Sequence, residues 1–385
     1  MSVPIKIIAG SEEVVLVSDG VNYADNPVRP FRIGQDSQIL WFASNSKGYF
    51  KVKGIGPNVP DILARMERTN IPWLRSRFNS PPNFYPITSY YNEIWMVAPF
   101  ALDENNVISL VHNEYHPTYG DDANVYGNLI AAYSNDGATT FQFYQYQGIN
   151  LPVIATPYPF TGKGKGGMFA QSNIIQWGKY YYILVEQYLE QIAPEAQSGV
   201  CLYRTCNLQD PTSWKGYNTD TKKYDIPTIR FYPNNEQPKK YLCTPILPSM
   251  YHYSWTYNVV LECFIVLGIN VNYRKENGEI IEAVVYTLAL LDMDTGILTP
   301  YKSETFVEYF LREIHWFDQW KSKGNIIGQA YPSILDPTSP DRNFQYSGKN
   351  PYLYFTKLHP FEKNHGRNRD VVREKLCVEV FSCVE

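Results

Sequence analysis

The stretch VISLVHNEYHPTYGDDANVYGNLIAAYSNDGATTFQF, residues 107–143, contains the pattern that decides the fold. An apolar run begins at Val107, and a second strand-like run ends in Ser134-Asn135-Asp136-Gly137. Runs of β-branched and aromatic residues bounded by Gly, Asn and Asp are typical of short strands. The Asn-Asp-Gly sequence is typical of a tight turn between antiparallel strands. The stretch therefore predicts two neighbouring strands and a hairpin turn.

Units of this kind recur along the whole chain. Their spacing is roughly 60 to 80 residues, wider than the roughly 40 of a regular blade repeat, which indicates irregular blades with long inner loops. Helical signals are confined to residues 60–67 and 303–320. The five segments that hold a strongly apolar strand beside a second strand are 31–52, 107–143, 172–214, 258–291 and 331–357.

Five such units predict an all-β fold, a five-bladed β-propeller that forms a single domain over residues 1–385. The N-terminal strands, residues 5–9 and 13–18, are expected to pair with late strands such as 376–380. Pairing of this kind seals the first blade against the last and removes an exposed sheet edge. A pair of β-sandwiches is the alternative architecture.

Composition excludes several classes of partner. The net charge of -4 gives no basic footprint for nucleic acid or for an anionic membrane. No apolar run is long enough to span a bilayer, and no targeting segment is visible, so the cytoplasm is the favoured location although export stays open. The six cysteines form no Cys-x-x-Cys pair, and we expect buried free thiols rather than disulfides. The oligomeric state stays open.

Several phrases resemble those of five-bladed glycoside hydrolases and their sialidase-like relatives. Residues 134–141 resemble the S-x-D-G-x-T-F/W turn of sialidase-type blades, and residues 204–214 are similar to the R-T-x-D-L-x-D-P-x-x-W stretch of arabinanase-like and xylosidase-like propellers. Residues 331–335 and 25–31 resemble a last-blade Y-P-S phrase and a first-blade D-x-P-x-R phrase. The resemblance implies a propeller that acts on carbohydrate at its central channel.

The departures from that resemblance concern the catalytic acids. Xylosidase-like families carry an acidic residue at the start of each of the first three blades. Asp25 matches the first position, whereas residues 95–99 and 167–173 contain no acid for the other two. The arginine triad of a sialidase-like site has no clear counterpart in this sequence. The resemblance therefore implies an architecture and leaves the chemistry open.

Residues 112–116, HNEYH, are the sharpest local candidate for chemistry. They follow an apolar strand, and side chains two apart in a strand share a face, so His112, Glu114 and His116 are expected side by side. Glu114 is a candidate general acid or base tuned by His112. The same three side chains are a candidate metal set. A structural pair of His112 and Glu114 is the third interpretation.

Asp25 and Arg29 form the second feature, in a loop that precedes the first predicted blade. Carboxylates at such positions of propellers face the channel, so Asp25 is the predicted partner of Glu114. Glycoside hydrolysis needs two carboxyls, about 5 Å apart for retention or about 6.5 to 9.5 Å apart for inversion. The alternative is that Asp25 caps a turn and pairs with Arg29.

Aromatic residues supply a candidate surface for sugar rings, because flat rings pack on C–H faces while polar groups bind hydroxyls. Two other acids are notable: Glu186 lies in an apolar strand that would raise its pKa, and Glu262 is predicted in the middle of a strand. Residues 162–167 lack the Gly-Lys-Ser/Thr ending of a phosphate loop and are predicted as a flexible loop. The predicted substrate-binding residues are Arg29, Trp41, Trp95, Tyr115, His116 and Trp255.

These features predict a carbohydrate-active enzyme that cleaves a glycosidic bond with Asp25 and Glu114 as acid and base and with His112 as a tuning residue. This hypothesis needs no cofactor and no metal, and its partner is a carbohydrate substrate. A non-catalytic carbohydrate-binding propeller is one alternative. A metal-dependent lyase or isomerase centred on His112, Glu114 and His116 is another.

Overall fold

The chain divides by its internal contacts into two compact units in the computed structural model. The first unit comprises Met1–Asn45, Phe50–Thr69 and Tyr251–Glu385, and the second comprises Ser46–Tyr49 and Asn70–Met250. The structure describes residues 5–18, 24–35, 38–45, 48–54, 91–116, 124–146, 149–150, 152–156, 164–191, 197–228, 238–274, 280–291, 307–314, 328–358 and 369–379.

The described residues are almost entirely strands and turns. A 3-10 turn at Pro238–Tyr241 is the single helical element among them. The strands in the first half are β1 (Ile5–Ile7), β2 (Glu13–Leu16), β3 (Phe31–Ile33), β4 (Gln38–Asn45), β5 (Gly48–Gly54), β6 (Tyr91–Ala101), β7 (Val107–His116), β8 (Tyr126–Ser134), β9 (Gln142–Phe143), β10 (Gln145–Tyr146), β11 (Ile149–Asn150), β12 (Pro152–Ile154) and β13 (Gly166–Phe169). Those in the second half are β14 (Ile175–Trp177), β15 (Tyr180–Tyr188), β16 (Gly199–Thr205), β17 (Lys215–Asn218), β18 (Lys223–Pro227), β19 (Tyr251–Asn258), β20 (Cys263–Arg274), β21 (Ile280–Leu291), β22 (Val307–Ile314), β23 (Gly328–Leu335), β24 (Tyr346–Ser347), β25 (Tyr352–Leu358) and β26 (Arg369–Val378).

The sheets of the first unit are antiparallel meanders of the kind that forms a propeller blade. One sheet has the order β22-β21-β20-β19, with β24 added in parallel to β19. Another has the order β1-β26-β25-β23. Strands β3 and β4 begin a third sheet, which continues into β5. The predicted all-β fold class is therefore confirmed, with blade-like sheets, while the number of blades and the single domain stay predictions.

The predicted closure by the N-terminal strands is confirmed. Ile5 pairs with Val378 and Ile7 with Leu376, both in antiparallel register. Strand β2 pairs with the same β26 further along, where Glu13 faces Arg373. Strand β26 therefore has a partner on both sides, so the sheet does not end in an exposed edge there.

The second unit contains one large sheet of the order β18-β17-β16-β15-β13-β8-β7-β6. It consists of two antiparallel meanders joined by a short parallel pair, in which Gly166 faces Tyr126 and Gly167 faces Gly127. The predicted hairpin turn follows β8: Asp136 Oδ1 accepts hydrogen bonds from the backbone N–H groups of Thr139 and Thr140. That carboxylate fixes the turn that the Asp-Gly sequence indicates.

Three sequence predictions are corrected by the structure. The prediction of a helix within 303–320 is wrong for Val307–Ile314, which form a strand that pairs antiparallel with β21. Glu262 is not in mid-strand but in the turn before β20, with φ +52°. Gly166 and Gly167 belong to β13 rather than to a flexible loop. The predicted helix at 60–67 and the predicted turns at 276–278 and 294–296 lie outside the described residues.

The sheets enclose separate apolar cores within each unit. In the second unit Leu129, Met168 and Ile183 are fully buried, and in the first Ile265 and Phe355 are. The five cysteines in the described part of the chain are thiols rather than disulfides, as predicted, but of these only Cys201 and Cys243 are buried, whereas Cys263 and Cys377 are half-buried and Cys206 is exposed. No helix within the described ranges is long and apolar enough to cross a bilayer.

Candidate functional site

His112 and Glu114 are in direct contact on β7. Nε2 of His112 lies 3.0 Å from Oε1 of Glu114. Their side chains are 11% and 20% exposed, so the pair is largely buried and yet reachable on one side. The contact confirms that residues two apart on this strand share a face, as the sequence predicted.

Two aromatic rings hold the imidazole of His112. The rings of Trp95 and Phe169 each lie 5.6 Å from it, centroid to centroid. Nδ1 of His112 is buried and has no hydrogen-bond partner among the described residues. Lys165 places its ammonium 5.0 Å from the centroid of the Phe169 ring. The imidazole of His112 therefore contacts two tilted aromatic rings, while its Nε2 is in contact with a carboxylate.

Two glycines allow the strands to come together beside this pair. Glu114 faces Gly127 in register, and Gly127 faces Gly167 on β13. A Cβ atom on Gly127 would lie 2.6 Å from the carbonyl oxygen of Met168 and 2.9 Å from the Phe169 ring. Gly167 has φ +124°, a region that L side chains rarely adopt. The glycine pair thus brings β13 close to β8 and lets the Phe169 ring reach His112.

Glu186 adds a second carboxyl, on β15 directly opposite Phe169. It is fully buried, and burial raises the pKa of Glu186 to about 7, against the opposing effects of a hydrogen bond from Ser249 and the charge of Lys165. The Ser249 hydroxyl lies 2.6 Å from Oε1. Oε2 has no hydrogen-bond partner among the described residues. The raised pKa that the apolar strand predicted is confirmed, and Glu186 keeps a proton up to near-neutral pH.

We refer to His112, Glu114, Phe169, Glu186 and Ser249 as the carboxyl cluster. It combines a partly exposed carboxyl that contacts an imidazole with a buried carboxyl that is half protonated near pH 7. The two carboxyls lie in different environments on strands of the same sheet, and different environments can set the pKa values of two acids apart.

Asp25 lies in the first unit, in a different set of contacts. Its Oδ1 forms an ion pair with the guanidinium of Arg369 and accepts a hydrogen bond of 2.7 Å from the hydroxyl of Tyr331. The side chains of Asp25 and Arg369 are only 15% and 8% exposed. Burial, assisted by the charge of Asp25, raises the pKa of the Tyr331 hydroxyl well above its usual value. That hydroxyl therefore remains a hydrogen-bond donor at neutral pH.

The backbone around Tyr331 is strained. Tyr331 has φ +56° and His252 has φ +48°, and their rings meet edge to face at 4.3 Å between centroids. Both residues lie where the strand register shifts, between Ala330 and Ser333 and between Tyr251 and Ser254. Left-handed backbone at large side chains is uncommon and is concentrated at functional sites. We refer to Asp25, His252, Tyr331 and Arg369 as the Tyr331 cluster.

The predicted pairing of Asp25 with Glu114 stays a prediction, because the two residues belong to different units. Arg29 is 4% exposed and donates a hydrogen bond of 2.9 Å from Nη2 to the carbonyl oxygen of Tyr253. Burial lowers the pKa of Arg29 to about 9. This placement favours a structural role for Arg29 over the predicted contact with substrate.

The predicted aromatic residues fall into three groups. Trp41 and Trp255 are 2% and 1% exposed and pack within apolar clusters, which favours a role in the core. Trp95 lines the carboxyl cluster through His112. Tyr115 and His116 lie on β7, and their side chains are not among those described. Within the described ranges, no group of three or more His, Cys, Asp or Glu side chains is arranged to hold a metal ion.

The sequence did not indicate His252 or Arg369 as site residues. Arg369 is 344 positions from Asp25 along the chain, so no local pattern could connect them. In the sequence Tyr331 belongs only to a phrase typical of a propeller blade. Ser249 is part of no motif, and it joins the site through its contact with Glu186, which no local pattern indicates.

Comparisons with known proteins give matches among solved structures, at low sequence identity. No protein-family model matches the chain, and no curated protein matches it. Among solved structures it is similar to the α-L-arabinofuranosidase from Podospora anserina in complex with cellotriose, at 11% identity and a TM-score of 0.41 over 94% of this chain and 95% of that one. The GH43 endo-arabinanase from Bacillus licheniformis has 10% identity and a TM-score of 0.41, over 93% and 96%.

An N-acetylgalactosamine deacetylase from F. plautii, in complex with blood group B trisaccharide, has 11% identity and a TM-score of 0.42, over 97% of this chain and 95% of that one. None of these TM-scores reaches 0.5. At such identities the similarities assign neither a family nor an activity.

Proposed function

We propose that the protein is a glycoside hydrolase in which Glu186 supplies the proton and Glu114, in contact with His112, acts as the base. The observation that carries this proposal is the carboxyl cluster itself. It holds a buried carboxyl, Glu186, whose pKa of about 7 suits a general acid and which lies opposite Phe169 in strand register. The Phe169 ring lies 5.6 Å from the imidazole of His112, which contacts the partly exposed carboxyl of Glu114. The abundance of tyrosine and the family resemblance of the sequence support a sugar as the substrate.

The proposed step balances in atoms and charge. Because Glu186 is fully buried, its proton travels through the hydroxyl of Ser249, which is only partly buried: Glu186 protonates that hydroxyl as the hydroxyl gives its own proton to the glycosidic oxygen and the bond to the anomeric carbon breaks. Glu114 takes a proton from water, whose oxygen attacks the same carbon. The proton on Glu114 then returns through water to Glu186. His112 is a positioning residue in this scheme, since its Nε2 fixes one oxygen of Glu114.

Asp25 remains the second candidate base that the sequence predicts. Its ion pair with Arg369 and its hydrogen bond from Tyr331 hold the carboxylate in one orientation. An oriented carboxylate is suited to activate water or to bind a sugar hydroxyl. The proposal gives Asp25 this role only if turnover falls on its substitution without loss of folded protein.

The test is release of reducing sugar from a broad panel of oligosaccharides by wild type, Glu186→Gln, Glu114→Gln and Glu104→Gln. Glu104 lies in a surface turn of the same unit and serves as the matched control. We expect both cluster variants to lose about a hundredfold or more of kcat/KM while the control is unchanged. The wild-type rate should fall as pH rises through about 7, because Glu186 then loses the proton that it donates.

Two outcomes contradict the proposal. Turnover that survives Glu186→Gln with the same pH profile removes Glu186 as the acid. Absence of turnover on every oligosaccharide, in wild type whose fold is verified by circular dichroism, contradicts the enzyme and favours a non-catalytic carbohydrate-binding protein.

A further inference from the structure

The second unit has a surface cavity that the carboxyl cluster does not use. Its volume is about 520 Å3, and it lies among β7, β8, the segment after β9 and the loop after β16. Three aromatic residues, Tyr133, Phe143 and Tyr144, and three amide side chains form most of its lining. The volume falls in the range of pockets that bind small molecules, about 300 to 1,000 Å3.

The cavity is separate from the carboxyl cluster along the strand. Ile108 forms part of the cavity, and Glu114 lies six positions further along the same β7. At about 3.3 Å per residue, the two positions are roughly 20 Å apart. A ligand in the cavity would therefore lie near the opposite end of β7 from His112 and Glu114.

The aromatic part of the lining is a pair of tilted tyrosine rings. Tyr133 and Tyr144 lie 4.9 Å apart between centroids, at an interplanar angle of 51°. Both are only partly buried, and both line the cavity. The Tyr133 hydroxyl donates a hydrogen bond of 2.7 Å to Gln142, which holds the ring in place. Flat, fixed tyrosine faces are suited to pack on the C–H faces of a sugar ring.

Three turns fix the amide groups around these rings. The carboxylate of Asp103 accepts hydrogen bonds from the backbone N–H and the side chain of Asn106, each within 2.8 Å. Asp136 fixes the turn that carries Asn135. Asn207 Oδ1 accepts a hydrogen bond of 3.0 Å from the backbone N–H of Gln209. These bonds hold the side-chain amide of Asn106 and the backbone that carries Asn135 and Gln209, and amides supply both donors and acceptors for hydroxyl groups.

Charge around the cavity selects against anions. None of the described residues that line it carries a formal charge. Burial, followed by the negative charge of nearby Asp210, raises the pKa of the Tyr144 hydroxyl. The Asp136 carboxylate is nearby in the turn after β8. An anionic ligand would approach the carboxylates of Asp103, Asp136 and Asp210 without a cation among the described lining residues, whereas a neutral polyol would meet no such repulsion.

We propose that this cavity, the Tyr133 cavity, is a binding site for a neutral saccharide of one or two ring units. The tyrosine rings bind the apolar faces of the sugar, and the amides of Asn106, Asn135 and Gln209 bind its hydroxyls. The site acts by binding and contains no reacting group, so it stands independently of the catalytic proposal. In an enzyme it would hold a distal part of a chain or anchor the protein to a polymer.

The test is calorimetric titration of the full chain with xylohexaose, arabinohexaose and cellohexaose as neutral probes, and with oligogalacturonate as an anionic one. The variants are Tyr144→Ala and Gln209→Ala, with Tyr180→Ala as a matched control on a half-exposed tyrosine elsewhere in the same unit. We expect the Kd of at least one neutral probe to rise about tenfold in Tyr144→Ala and about threefold in Gln209→Ala. Tyr180→Ala should leave that Kd unchanged.

Several results would overturn the proposal: no binding of any neutral probe at millimolar concentration, a Kd that neither cavity variant changes, or tighter binding of oligogalacturonate. If Tyr144→Ala does not fold, Gln209→Ala and Asn135→Ala decide the question, because both side chains are exposed. Glu114→Gln and Glu186→Gln separate this proposal from the catalytic one, since they should abolish turnover while the weakening by Tyr144→Ala persists.

Discussion

Glu186 is the residue whose titration should be visible in the stability of the protein. Its pKa is raised from 4.5 to about 7 in the folded chain, so the folded state binds the proton more tightly than the unfolded state does. Stability from this group is fully present below pH 4.5 and is lost as the pH rises towards 7. At about 1.4 kcal/mol per pKa unit, the loss is roughly 3 kcal/mol.

Glu186→Gln removes that titration. We expect the free energy of unfolding of the wild type to fall by roughly 3 kcal/mol relative to Glu186→Gln between pH 4.5 and 7. Urea denaturation of both proteins across this range measures the difference. The contributions of all other titratable groups cancel, because both proteins contain them. Parallel curves for the two proteins would show that Glu186 titrates normally, and the case for it as a proton donor would be lost.

Asp25 permits a test of the Tyr331 cluster at the same scale. Asp25→Asn keeps an acceptor for Tyr331 but removes the negative charge that Asp25 presents to the guanidinium of Arg369, which is 8% exposed. Breaking a buried ion pair from one side costs about 3 to 5 kcal/mol. We expect a loss of about 3 kcal/mol in urea denaturation.

The control for Asp25 is Glu379→Gln in the same unit. Its ion pair with Lys6 is 43% and 56% exposed, and such pairs contribute less than about 1 kcal/mol. Equal small losses in both variants would mean that the Asp25 pair is effectively solvated. Asp25 would then be better placed to react than to stabilise the fold.

Strands β8 and β13 show how an element positions the site. Gly127→Ala would place a methyl group 2.6 Å from a backbone oxygen, an atom that cannot move aside without separating the two strands. We expect a loss of more than about 2 kcal/mol, together with loss of turnover, because Phe169 moves with β13. Gly216→Ala, whose new methyl would meet only side chains at 3.1 to 3.5 Å, should cost much less.

Thermal denaturation and the oligosaccharide assay together measure this effect. A Gly127→Ala protein as stable and as active as Gly216→Ala would contradict the idea that close approach of β8 and β13 builds the carboxyl cluster.

The sequence was most informative about individual strands and turns. Period-two patterns predicted the contact of His112 with Glu114, because that contact depends only on strand geometry. The Asp-Gly turn after β8 was predicted for the same reason, since its hydrogen bonds are local. The misplacement of Glu262 had a physical cause: its apolar neighbours suggested a strand, while its left-handed backbone ends one.

The Tyr331 cluster was beyond local prediction. Asp25 and Arg369 come from opposite ends of the chain and form their ion pair only because the first unit folds. The left-handed backbone of Tyr331 and His252 is not indicated by their residue types. Tyrosine and histidine at φ near +50° oppose ordinary preferences. Only tertiary packing can hold them there, and a sequence pattern does not record it.

At the scale of the whole molecule, the contribution of the pairing between β1 and β26 to stability can be tested at Ile8, which directly follows β1. The backbone N–H of Ile8 donates a hydrogen bond of 2.9 Å to the carbonyl oxygen of Lys375, while its side chain is 43% exposed. Ile8→Pro removes this donor at the end of the seal and loses little buried surface. We expect a loss of about 1 to 3 kcal/mol, against less than about 0.5 kcal/mol for Ile8→Ala.

The same variant tests whether the chain behaves as the single domain that its sequence predicts. Ile8→Pro perturbs the first unit, and Ile183→Val, at a fully buried position, perturbs the second by about 0.5 to 1.5 kcal/mol. In a single cooperative domain both substitutions shift one calorimetric transition, and its calorimetric enthalpy equals its van't Hoff enthalpy. Two transitions, each shifted by only one of the substitutions, would show that the units unfold separately, and the single-domain prediction would be wrong.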